Sequence, residues 1–150
     1  MSEYEAITID HGPEQVGLAF LATAYGIREE VDRQTQSMAG LSLARTKVLQ
    51  TLAARGALHQ AQLADALGQA PRSVTQIVEG LERVGLVART GDTGDRRRKT
   101  VSLTGKGRTT LAMAEQAGTQ VLRQLFGSLD PQQMASLKAL LARLDTALAR

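Results

Sequence analysis

Cysteine is absent from the 150-residue chain, which removes disulfides, thiolate metal sites, iron–sulfur clusters and thiol-based redox sensing together. That absence fits a reducing cytoplasm, where the protein is expected to reside. Histidine is nearly absent as well: His11 and His59 are the only two. No paired motif such as H-E-x-x-H surrounds either, so a metal site or metal-assisted hydrolysis is not expected, and His59 reads as a cap or surface residue. The aromatic residues are Tyr4, Phe20, Tyr25 and Phe126 alone. No run of about 18 apolar residues occurs, so no membrane span is expected. The opening MSEYEAITIDHGPEQ is acidic and mixed, unlike a secretory signal with its basic region and apolar core. A phosphate-cradling G-x-x-x-x-G-K-[ST] loop is missing too. Neither an enzyme nor a cofactor is expected from this inventory.

What the chain does have is positive charge in one place. Residues 70 to 108 hold nine Lys or Arg against four Asp or Glu, a net of +5, whereas the rest of the chain is slightly acidic. Basic side chains act locally on a polyanion, so this distribution suits a nucleic-acid-contacting module set in an ordinary scaffold. At 150 residues such a chain is the size of one domain, able to bury roughly 70% of the surface it exposes when unfolded.

The organisation is mainly helical. From Pro13, the apolar residues Val16, Phe20, Ala24, Ile27 and Val31 recur at helical spacing in a long amphipathic helix ending near QTQSMAG. Ala44, Val48, Leu49 and Leu52 mark a second helix that closes at Gly56. Leu63, Ala64 and Leu67 edge a short third helix. Gly68 ends it, and Pro71 opens a fourth in which Val74, Ile77, Val78 and Leu81 face inward. Two short helices around a tight turn containing glycine are a helix-turn-helix. LVART and KTVSL then read as two β segments. The stretch GDTGDRRR between them is too long for a two-residue turn and is expected to project as a loop, which makes the unit a winged helix. Thr104 caps a helix running to about Phe126. Asp130, Pro131 and Gln133 open a last helix whose Met134, Leu137, Leu141, Leu144 and Leu148 repeat at 3-4-3-4 spacing.

The segments LSLARTKVLQTLA, QLADALGQAPRSVTQIVEGLERVGLVAR and GDTGDRRRKTVSLTGKG together resemble the MarR family of winged-helix transcriptional regulators. The likeness runs over roughly residues 12 to 148. Its wing pattern matches at Asp95, Arg97, Val101, Leu103, Thr104 and Gly107. The fold class expected is mainly α with a small β-hairpin (α+β). A winged helix-turn-helix lobe spans about residues 41–104, flanked by dimerisation helices at 13–36 and 105–150. The resemblance implies a homodimer on double-stranded DNA, bound to a pseudo-palindromic operator with recognition helices about 34 Å apart, and acting as a repressor. The alternative is a winged helix that binds RNA or a protein partner. The RNA version is disfavoured because the basic region has no aromatic residue on which to stack bases.

With the apolar face of the fourth helix turned inward, Arg72, Ser73, Thr75 and Gln76, and with them Glu79, are left to meet the major groove. Gln76 suits adenine, and Thr75 suits a base edge or a thymine methyl. In the wing, Arg96 and Arg97 are both placed to reach a minor groove, and the resemblance implies Arg97. Arg96, Arg98 and Lys99 are then expected on phosphates, with Asp95 bracing the loop. Two departures from the family stand out: Gln76 where an arginine is common, and Ala70 where a Ser or Asp cap is common. For a small aromatic effector, which the resemblance also suggests, the candidate lining is Phe20, Tyr25, Leu41, Arg45 and His59.

Overall fold

The computed structural model describes residues 11–92 and 95–149, with backbone alone for residues 92 and 95–98. The elements run α1 (Pro13–Ala39), α2 (Leu43–Arg55), β1 (Leu58–His59), α3 (Gln60–Leu67), α4 (Pro71–Arg83), β2 (Val87–Asp92), β3 (Asp95–Leu103), α5 (Gly105–Phe126) and α6 (Pro131–Leu148). The three strands form one antiparallel sheet in the order β1-β3-β2. This is a winged helix: α3 and α4 form the helix-turn-helix, and β2 with β3 form the wing.

Local chemistry sets the boundaries. Gly68 adopts a left-handed conformation with φ 61° and closes α3 by donating its N–H to Ala64 and Asp65 carbonyls, a geometry glycine takes without a Cβ penalty. Pro71 then starts α4 where its missing N–H costs nothing. Ser42 Oγ accepts from the Arg45 N–H at the start of α2, while Asp32 of α1 accepts from the Leu43 N–H at 2.9 Å. One side chain of α1 therefore helps cap the next helix. Thr104 Oγ1 accepts from the Gly107 N–H at 3.0 Å and donates to the Gly85 carbonyl at 2.6 Å, fastening α5 to the end of the recognition unit. At α6 the expected box is complete, with Asp130 accepting from Gln133 N–H and Gln133 from Asp130 N–H.

The core lies inside the winged-helix lobe. Val48 and Leu49 of α2, Leu63 of α3, Val74, Val78 and Leu81 of α4 and Val101 of β3 are all fully buried. Leu111 and Ala114 of α5 join the same cluster, so the first half of α5 also roofs the lobe. The approach is close enough that a Cβ on Gly107 would run into the Leu86 carbonyl oxygen. Farther along α5, Ala117 and Val121 are buried and Gly118 lies against Val31 of α1, small residues letting two long helices run side by side. Among the described residues, no helix is long and apolar enough to cross a membrane.

Two details differ from the sequence expectation. The short strand β1 pairs Leu58 with Val101 and His59 with Thr100; two residues carry no periodicity from which to read it. The wing is also strand for most of the length expected to be loop. Pairing continues through Gly91↔Lys99 and then jumps to Asp92↔Asp95. Arg96, Arg97 and Arg98 occupy the excess on β3, and an unequal count on two paired strands bends and twists the ladder.

Candidate nucleic-acid interface

Helix α4 carries its two chemistries on opposite sides. Val74, Val78 and Leu81 are fully buried and Ile77 is half-buried, while Arg72, Ser73, Gln76 and Glu79 are exposed. Ala70, at the N-cap, gives no side-chain hydrogen bond. The first-turn N–H groups of α4 are thus left without a side-chain acceptor, at the end where the helix dipole favours an anion. Thr75 is half-buried and its hydroxyl has protein partners: it donates to the Pro71 carbonyl at 2.9 Å and accepts from Gln60 Nε2 at 3.0 Å.

The strand beside α4 supplies a residue that the sequence reading passed over. Arg89 shares a strand face with Val87, the side turned to the core, and its side chain is only 16% exposed. Its guanidinium Nη2 meets Glu82 Oε1 at 2.9 Å, and its backbone N–H meets Glu82 Oε2 at 3.2 Å. Nη1 lies 3.4 Å from Gln60 Oε1 and 3.9 Å from Glu79 Oε1, while Nε is buried without a partner among the described residues. The hydrogen bond from Arg89 holds the Glu82 carboxyl below its ordinary range, against a smaller opposing effect of desolvation. The same bond raises Arg89 further above its already high value. The signal was present in the sequence, since an arginine at an inward strand position needs a carboxylate nearby. Glu79, expected on the groove side, sits near this arginine as well.

Beyond Gly91 the wing is described by its backbone. Lys99 is exposed, and the side chains of Asp95, Arg96, Arg97 and Arg98 lie outside the described ones. The backbone brings these four and Lys99 together at the far end of the hairpin.

The five residues suggested for an effector are spread out. Phe20 lines an apolar groove of about 630 Å³ between α1 and α6, with Val16, Leu21, Leu141 and Leu144. Tyr25 lines a second hollow with Arg28, Asp32 and Ser42. Arg45 lines a third with Gln36 and Gly40, and its guanidinium lies over Gly80 of α4. Leu41 is 1% exposed and belongs to the core, because the turn at Gly40 directs the chain under α2. His59 precedes α3, its Nδ1 3.2 Å from Thr100 Oγ1 and its N–H bonded to Gln62.

The sequence model of the MarR family matches residues 41–99, from Leu41 through Lys99 of the wing. Over residues 41–99, the winged-helix lobe, the chain is similar to the MarR family. This is a family of DNA-binding transcriptional regulators, not of enzymes. Among solved structures, Sco3205, a MarR family transcriptional regulator from Streptomyces coelicolor in complex with DNA, is 26% identical. The match covers 91% of this chain and 88% of that one, with a TM-score of 0.72. YusO from Bacillus subtilis is 25% identical over 89% of this chain and 94% of its own, with a TM-score of 0.77. BpsR from Bordetella bronchiseptica, whose DNA binding is regulated by 6-hydroxynicotinic acid, is 28% identical over 87% of this chain and 98% of its own, with a TM-score of 0.67. No curated protein matches the chain by sequence. The likeness to the solved MarR-family structures reaches past the matched lobe to the helices on both sides.

Proposed function

We propose that this chain is a MarR-family regulator, a sequence-specific repressor that binds a pseudo-palindromic DNA operator as a homodimer. The observation that carries the reading is the pairing of an exposed polar face on α4, with Arg72, Ser73 and Gln76, and a basic strand end in the adjoining wing. Gln76 and Thr75 contact base edges. Arg72 and Ser73 meet phosphate at the helix start, where free N–H groups and the dipole assist. Arg97 enters a narrow minor groove, whose concentrated negative potential suits a planar guanidinium. Arg96, Arg98 and Lys99 bind phosphate, and Asp95 braces them.

The outer helices support the dimer. Leu140, Leu144 and Leu148 of α6 are exposed at 57%, 54% and 82%, and Val16, Leu18 and Leu21 of α1 at 56%, 63% and 65%. An apolar surface of this kind is covered most simply by the same surface of a second copy around a two-fold axis. Control by a small aromatic acid is proposed by analogy with BpsR. Such a ligand acts only by binding the arrangement that cannot bind DNA more tightly than the one that can.

The test is equilibrium binding to duplex DNA and to single-stranded RNA across a salt series. Duplex binding is expected to dominate and to fall by roughly 10³ to 10⁵ between about 50 and 200 mM salt, as six to ten phosphate contacts require. Equal or tighter binding to the RNA would favour the rival reading, a winged helix for RNA.

A further inference from the structure

The hydrogen bonds around Thr75 form a chain whose direction is fixed at both ends. Arg89 has only donors, so the Gln60 amide atom facing it must be the oxygen. The Gln60 NH₂ is therefore turned to Thr75, 3.0 Å away. At the other end the Pro71 carbonyl, 2.9 Å from Thr75 Oγ1, has only lone pairs, so the threonine hydroxyl must donate to it. Thr75 consequently has no proton left for a base, and one of its two acceptor positions is filled. It cannot donate to N7 or O6 of guanine or to N7 of adenine, the contacts a free hydroxyl would make in the major groove. What remains is its methyl group and one lone pair, which can accept only from an adenine or cytosine amine.

We propose that the relay Arg89–Gln60–Thr75 sets base preference: it holds the threonine hydroxyl on the protein, so that Thr75 selects a thymine by packing its methyl on the thymine C5-methyl. Thr75 is then the specificity residue, with Gln60 and Arg89 as positioning residues that never touch DNA. The anchoring is firm at the arginine end, where two Glu82 oxygens hold the side chain and backbone of Arg89 together. The wing strand and the recognition helix are thereby joined through α3, whose first residue is Gln60. This inference rests on the reading that α4 meets the major groove.

The experiment uses the full chain and binding-site selection from random duplex DNA. Thr75→Ala identifies the base pair whose preference depends on this residue. At that pair, affinity is then compared for thymine and uracil, which differ only by the methyl. The wild type is expected to favour thymine by about fourfold, the worth of burying one methyl-sized group. Thr75→Val, which keeps a methyl and loses the hydroxyl, retains the preference; Thr75→Ser, which does the reverse, binds both equally. A preference kept in Thr75→Ser and lost in Thr75→Val overturns the proposal while leaving the groove assignment of α4 intact. No change at any position in Thr75→Ala overturns the groove role of Thr75 itself, and with it the proposal. Gln60→Glu still accepts from Arg89 but has no N–H to give, so it is expected to shift preference at this one base pair. A loss spread evenly over all positions would reduce Gln60 to a structural prop. Melting curves of each variant exclude unfolding as the cause.

Discussion

The winged-helix lobe and α6 use the same side chains to opposite ends. Leu49, Leu63 and Leu81 in the lobe are fully buried, whereas α6, with leucines at equally regular helical spacing, has no buried residue at all. Periodicity therefore reports that a helix has a face to cover, and only the tertiary arrangement reports whether the chain itself covers it. The lobe completes its own core with α2, α3, α4, the sheet and the start of α5. The outer helices leave apolar surface exposed.

That contrast can be broken most forcefully inside the lobe. Leu81→Ala is expected to cost about 2–5 kcal/mol of stability, the transfer and cavity terms of a core leucine, read by urea unfolding. A cost below about 1 kcal/mol would mean that the core is not where it is placed here. On α6 the opposite outcome is expected. Leu144→Glu should barely alter the stability of the lobe and should weaken dimerisation by at least about tenfold, since one buried leucine contributes roughly 1.5–3 kcal/mol. Sedimentation across a concentration series checks this, and an unchanged dimer would move the interface elsewhere. Within the proposed DNA surface, Arg97→Ala should weaken operator binding on the order of tenfold more than binding to random duplex. Equal losses would make Arg97 a phosphate contact only.

The smallest expected effect concerns the brace between wing and recognition helix. Arg89 depresses the folded-state pKa of Glu82, so the stability this pair contributes is present above the ordinary carboxylate value of about 4.3 and is lost as pH falls through the lower folded-state value. Melting temperatures of the wild type and Glu82→Gln should therefore differ at neutral pH and converge in acid. A difference that widens in acid would reverse the sign of the assignment.

Most helix boundaries were legible in the sequence because capping is local chemistry. Gly68 with Pro71, Thr104 with Gly107, and Asp130 with Gln133 each act within a few residues. The four apolar positions of α4 were legible for the same reason, since 3.6-residue periodicity needs no knowledge of the partner. The relay behind Thr75 was not. It joins residues 15 and 29 positions apart, and nothing in the neighbourhood of Gln60 announces that it will meet an arginine from the wing. The extent of the wing strands was misjudged because glycine, aspartate and a run of arginines are poor strand formers taken singly. Pairing against β2 holds them extended regardless. The effector residues were grouped by resemblance, and the fold distributes them over separate hollows and the core.

In the proposed function, two copies of α4 read DNA together. Selection of bound sequences from random duplex DNA by the full chain tests it most directly. Two copies of α4 on one duplex are expected to enrich an inverted repeat whose half-sites lie about 10 base pairs apart, centre to centre, or one turn of the duplex. Enrichment of a single unrepeated element, or no enrichment over the starting pool, would contradict it.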